Sequence, residues 1–109
     1  MRDDRERLRD ILEAIDNIEK YASRGKEVFE QDELIQVWII HHLQIIGEAS
    51  SSISSSFIVN HLEIPWRDMK DFRNILVHEY FRVDTNIVWN VVMRELPDLK
   101  HKIKQVLAK

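Results

Sequence analysis

Apolar residues recur at helical spacing through most of the chain. Between Asp3 and Gly25 they fall at Leu8, Ile11, Leu12, Ile15, Ile18 and Ala22, which at about 100° per residue cover about a third of a helix circumference. Asp3 is placed to cap this first helix, and Glu6 lies three residues on, where it can reach back to the cap. Arg5, Arg7, Arg9, Asp10, Asp16 and Glu19 occupy the other face in mixed sign, the pattern of a solvated surface. A second helix is expected from Val28 or Asp32 to a serine run, with Leu34, Ile35, Trp38, Ile39, Ile45, Ile46 and Ala49 on one broad arc. His42 falls in the middle of that arc and His41 at its edge. Adjacent helical residues diverge by about 100° and no acidic residue stands one turn away, so the pair reads as a hydrogen-bonded core or interface histidine with a neighbour, not as a metal site. Gly47 within the helix suggests a close approach by another helix.

Ala49-Ser-Ser-Ser-Ile-Ser-Ser-Ser56 is rich in a poor helix former, yet Phe57, Ile58, Val59, Leu62 and Ile64 follow at once. That combination predicts a frayed helix end and a packed connection, not a domain linker. Pro65 suits the first turn of a third helix, where its missing N–H is not needed; Trp66, Met69, Phe72, Ile75 and Leu76 supply the buried side, with an end near Tyr80 or Phe81. Asp84 can cap a fourth helix carrying Ile87, Val88, Val91 and Val92. Pro97 then kinks or restarts it before Leu99, Ile103, Val106 and Leu107. No strand alternation and no internal repeat is present. The fold class predicted is all-α: an up-and-down bundle of four long helices, five if Pro97 makes a break, formed by a single domain over residues 1–109.

Composition narrows the function classes. A chain of 109 residues supports one core, and its two glycines, two prolines and 44% hydrophobic content suit a helical globular protein. Without cysteine there are no disulfides and no thiolate metal sites. The start, Met-Arg-Asp-Asp-Arg-Glu-Arg, lacks the apolar core of a signal peptide, and no apolar run approaches a membrane span, so a cytoplasmic protein without membrane contact is expected. Net charge is −3, which means that any nucleic-acid contact must use a local basic surface against the global sign. The tail carries Lys100, Lys102, Lys104 and Lys109 against Asp98 alone; complementing the helix dipole explains it more simply than phosphate binding.

Residues 73 to 80, Arg-Asn-Ile-Leu-Val-His-Glu-Tyr, concentrate the candidate chemistry. Arg73 is a forked phosphate binder, His78 a proton carrier near neutral pH, and Tyr80 a hydroxyl open to modification. On a regular helix Arg73 and Tyr80 share one face and Asn74 and His78 another, while Arg73 and His78 diverge by about 140°. They converge on one ligand only if the last turn unwinds over Val77 to Tyr80, or if two copies of the helix meet about a two-fold axis. A composite cleft of two arginines and two histidines would be an intense basic site on an acidic protein. RNA brings its own 2′-hydroxyl nucleophile, and with no cysteine and no evident carboxylate cluster the economical chemistry uses no metal and no cofactor. The plain alternative is a surface ion pair of Arg73 with Glu79 or Asp71 and a helix-capping histidine.

Arg73-x4-His78-x-Tyr80 has the spacing of the R-x4-H-x-Y motif, and Ile46-Gly-Glu-Ala49, Ile64-Pro-Trp-Arg67, the Trp89 helix and Leu96-Pro97 fall in matching order. Over essentially its whole length the chain resembles the HepT-like toxins of the HEPN group of helical ribonucleases. The resemblance implies a HEPN-like bundle of four to five helices that dimerises, with both motifs lining a shared cleft. It implies that Arg73 and His78 form a ribonuclease site with Asn74 beside them, and that RNA is the substrate. The implied partner is a minimal nucleotidyltransferase acting as antitoxin, which transfers AMP to Tyr80; added phosphates beside Arg73 would occupy the cleft and repel RNA. Glu48, in the Gly-Glu-Ala stretch, is a candidate to orient Arg73 or His78, or else an ordinary surface glutamate. The sequence thus supports a metal-independent endoribonuclease toxin, with two alternatives: a non-catalytic adaptor of a nucleotidyltransferase, and a plain oligomerisation module.

Overall fold

The structure, a computed structural model, describes residues 3–71 and 84–108. Helix α1 (Asp4–Ala22) opens as its sequence predicts, with the Asp3 carboxylate accepting the Glu6 backbone N–H at 2.8 Å. Its buried face is Leu8, Ile11, Ala14, Ile15, Ile18 and Ala22, and Leu12 sits at the edge of the core. After Ala22 the chain turns at Gly25, whose φ of +99° is open to glycine and strained for other residues.

The second helix expected from the sequence is two helices. A short α2 (Lys26–Gln31) plants Phe29 in the core, and α3 (Glu33–Ser51) then starts from Asp32, whose Oδ1 accepts the Leu34 and Ile35 N–H groups. Because Asp32 is extended, its side chain takes over the donors that a continuous helix would have bonded. α3 is apolar around nearly all its circumference, so the burial arc was ambiguous. Ile35, Ile39, His42, Leu43 and Ile46 face the core, whereas Leu34, expected inside, is 81% exposed and Val37 is 50% exposed.

The serine run ends α3 in the packed manner expected. Hydroxyls of Ser50 and Ser51 donate to the Gly47 carbonyl and Ser52 donates to that of Glu48, while Ile53 is buried. Ser54 caps the short α4 (Ser55–Asn60) and binds the Asp4 carboxylate through its hydroxyl at 2.6 Å and its backbone N–H at 2.9 Å. This ties the start of α1 to the start of α4. Val59 and Leu62, expected in the packed connection, are exposed; Ile64 is buried.

Residues 66–71 are helical and form α5 as far as it is described. Its first turn is set by the Met69 N–H on the Pro65 carbonyl, which leaves the proline at the helix entrance, where no donor is lost. The last rod comprises α6 (Thr85–Asn90), a π-helical turn (Val91–Glu95) and α7 (Leu96–Leu107), with Asp84 capping through the Asn86 N–H. Pro97 stands in the first turn of α7, so the α-helix restarts there directly after the π-helical turn, with no gap in the helical backbone. The Leu96 N–H reaches back five residues to Val91, and this wider turn makes room for the proline ring at the start of α7. Val88, Val92, Leu96, Leu99, Ile103 and Val106 face the core, while Ile87, expected inside, is exposed.

α1 lies at the centre, packed mainly on α3 along one side and on the α6–α7 rod along another. Trp38 Nε1 donates to the Asn17 carbonyl at 2.8 Å and its ring meets Tyr21 edge-on, locking α3 to α1. Arg5 Nη2 donates to the Leu107 carbonyl at 2.6 Å, and Lys100 Nζ reaches Asp16 and Glu19, so α1 and α7 run antiparallel. The fold is an all-α bundle of long rods with two short connecting helices, as expected, and no strand occurs among the described residues. No described helix is long and apolar enough to cross a membrane.

Candidate functional site

The candidate residues Arg73, Asn74, His78 and Tyr80 lie outside the described residues. The structure does describe how the chain enters and leaves their segment. On the entry side, Ile64, Trp66 and Met69 are buried, and Trp66 Nε1 donates to the His61 carbonyl at 2.9 Å. Phe57 stacks on the His61 ring at 4.3 Å and meets Trp66 edge-on at 6.2 Å, so the turn before α5 is held by aromatic contact on both sides. On the exit side Asp84 fixes the start of α6, and Val88 and Val92 bind that helix to the core. Of these anchors, Pro65 and the Asp84 cap were legible in the sequence, whereas the aromatic contacts around Trp66 were not.

Beside the entry helix, a cleft of about 250 Å³ separates α5 from the π-helical turn and α7; Asp68, Met69, Arg94, Glu95 and Asp98 line it. Burial, followed by the nearby Asp68 carboxylate, pushes the Glu95 carboxyl above the usual glutamate range. Lys102 neutralises Asp98 across one helical turn at 2.9 Å. Its charged lining is Asp68, Glu95 and Asp98 against Arg94 and Lys102, so it offers no net basic surface to a phosphate backbone.

Glu48 lies elsewhere, on the exposed edge of a groove of about 510 Å³ between α1 and α3, with Arg7, Asp10, Glu13 and His42 among its neighbours. His42 is 7% exposed, and its Nδ1 stands 2.7 Å from the Trp38 carbonyl. A carbonyl only accepts, so Nδ1 carries a proton in this hydrogen bond. His42 is therefore the hydrogen-bonded core histidine that the sequence suggests. His41 is exposed with its ring edge-on to it at 5.2 Å. Among the described residues, no group of three or more histidine or carboxylate side chains could hold a metal ion.

Lysines of the basic tail have structural employment. Lys100 lies 3.1 Å from Asp16 and 3.0 Å from Glu19; its hydrogen bonds to Glu19 and then Asp16 raise its pKa above the ordinary lysine value. Lys102 is held by Asp98 one turn back on α7 itself, whereas Lys100 ties the tail to α1 across the bundle. Sequence reading missed this role because the partners stand more than eighty residues apart. The hydroxyl–carboxylate pair of Ser54 and Asp4 is a helix-capping contact, and the described part of the chain holds the two ends of the segment between α5 and α6.

The model of a family described as "Ribonuclease HepT-like" matches residues 11–106. A Thermococcus cleftensis protein named "Probable ribonuclease HepT" is 42% identical over 100 residues, covering 91% of this chain and 91% of that protein. An RNase-named protein of Caldanaerobacter subterraneus subsp. tengcongensis is 33% identical over 92 residues, covering 84% of this chain and 82% of its own. Another RNase-named protein, from Methanocaldococcus jannaschii, is 33% identical over 100 residues, covering 91% of this chain and 92% of its own. No solved structure matches the chain.

Proposed function

The chain belongs to the HepT-like ribonuclease family, and on that footing we propose that it is a metal-independent endoribonuclease, the toxin of a cytoplasmic toxin–antitoxin pair. The observation that carries the reading is the family match over residues 11–106, which runs through Arg73-x4-His78-x-Tyr80. In this reading two copies associate so that both motifs line one cleft. The Arg73 guanidinium binds the scissile phosphate by forked contacts, and Asn74 helps orient it. The 2′-oxygen attacks phosphorus, the bond from phosphorus to the 5′-oxygen breaks, and a 2′,3′-cyclic phosphate remains. His78 carries the proton between the attacking hydroxyl, the leaving oxygen and water. A partner nucleotidyltransferase silences the enzyme by moving AMP from ATP to the Tyr80 hydroxyl, releasing pyrophosphate; the new phosphate then competes with RNA for Arg73.

The test is incubation of purified, unmodified protein with total RNA in EDTA, beside Arg73→Ala and His78→Ala. Wild-type cleavage leaving cyclic phosphate, and its loss in both variants with fold intact, is the expected result. Cleavage by either variant at the wild-type rate would remove that residue from the mechanism. Absence of cleavage by the verified unmodified protein would favour a non-catalytic adaptor of the nucleotidyltransferase.

A further inference from the structure

We propose that the corner between α2 and α3 is a docking surface for a basic amphipathic segment of a protein partner. This inference stands independently of RNA cleavage. Val28, Leu34 and Val37 are 37%, 81% and 50% exposed, a concentration of aliphatic surface that folding of the chain leaves uncovered. Val28 and Leu34 line a shallow pocket of about 540 Å³ with Glu27, Gln31, Asp32 and Glu33.

The corner is built rather than incidental. Gln36 Nε2 donates to the Phe29 carbonyl at 2.9 Å and the Glu30 carbonyl at 3.2 Å, fixing the end of α2 against α3. Phe29 is buried and packs on Trp89 with ring centroids 5.3 Å apart, which holds α2 down from below. A pocket held in this way is preorganised, so an incoming side chain does not have to order it.

Charge selects the occupant. Lys26 is engaged by Glu30 at 3.8 Å and Asp32 caps α3, while Glu27 and Glu33 are exposed and carry no ion pair among the described residues. Two open carboxylates flanking Val28 and Leu34 repel a nucleic-acid backbone. They would also face like charge if a second copy docked corner to corner. A helix with an aliphatic side chain for the pocket and lysine or arginine on either side satisfies both the apolar floor and the acidic rim.

The experiment is backbone amide NMR of the full chain, titrated with a helical peptide of about 14 residues bearing leucines on one face and lysines on the flanks, about four turns. A second peptide with glutamate in place of lysine is the control. Shifts confined to residues 26–37 with the basic peptide and absent with the acidic one are expected, weakening as salt rises from about 50 mM to about 200 mM. Leu34→Ser and the double variant Glu27→Lys/Glu33→Lys should each raise the dissociation constant about tenfold or more. Leu34 is exposed, so its change leaves the fold in place, and the charge variant tests the rim without touching an apolar group. Shifts centred elsewhere, or equal binding of both peptides, would overturn the proposal. So would loss of self-association in Leu34→Ser, which would give the face to a second copy.

Discussion

Replacing Trp66 by phenylalanine should loosen the entrance to the candidate segment by an amount the structure allows to be reckoned. The indole N–H donates to the His61 carbonyl at 2.9 Å, and the side chain is 6% exposed between Phe57 and the core. Losing that donor costs about 1 kcal/mol net, since the partly buried carbonyl can regain some hydration. Replacing the indole by the smaller phenyl ring removes buried contact worth about 1–2 kcal/mol, and the buried turn cannot collapse fully around it. The sum is about 2–3 kcal/mol, or a fall in Tm of about 10 °C for a domain of this size. Urea and thermal unfolding followed by far-ultraviolet circular dichroism measure it. A benzothienyl analogue, which keeps the bicyclic shape and replaces N–H by sulfur, should lose only the hydrogen-bond share of about 1 kcal/mol. If both replacements stay within about 0.5 kcal/mol of the wild type, the claim that Trp66 holds this turn is refuted.

Lys100→Met should lower stability by at most about 1 kcal/mol, because the ion pairs are part-exposed and screened, and high salt should shrink the difference. Since pairing raises the Lys100 pKa, its contribution is complete below the ordinary lysine value and disappears as pH rises through the raised one; urea titrations across the alkaline range check this. Asp4 behaves oppositely. Hydrogen bonds from the Ser54 hydroxyl and then the Ser54 backbone N–H lower its pKa, so its contribution is present above the ordinary aspartate value and is lost as pH falls through the lowered one. Ser54→Ala should cost about 1 kcal/mol through the lost α4 cap and flatten that acid dependence, and an unchanged acid profile would contradict the assignment.

What the sequence reveals and what it conceals divide along the range of the interactions concerned. The cap residues Asp3 and Asp84, the apolar stripe of α1 and the entry at Pro65 were legible because each is a hydrogen bond or a repeat closed within a turn or two. The motif around Arg73, Asn74, His78 and Tyr80 was likewise read from spacing and family resemblance, and it lies outside the described residues. Its supports were only partly foreseen: Pro65 and Asp84 were, whereas the aromatic bracket of Phe57, His61 and Trp66 depends on how a turn folds.

The sequence by itself determined a helical protein of this family, with the Asp3 and Asp84 caps, most of its core and its candidate residues. Tertiary structure alone decided which side of α3 is covered, because a helix apolar nearly all round offers several burial arcs and the packing of α1 selects one. That choice buries His42, fixes a proton on Nδ1 through the Trp38 carbonyl, and leaves Leu34 outside. It also decided that Lys100 serves Asp16 and Glu19, and that a π-helical turn absorbs Pro97. Pairing across the bundle depends on the placement of whole helices, which no local spacing encodes.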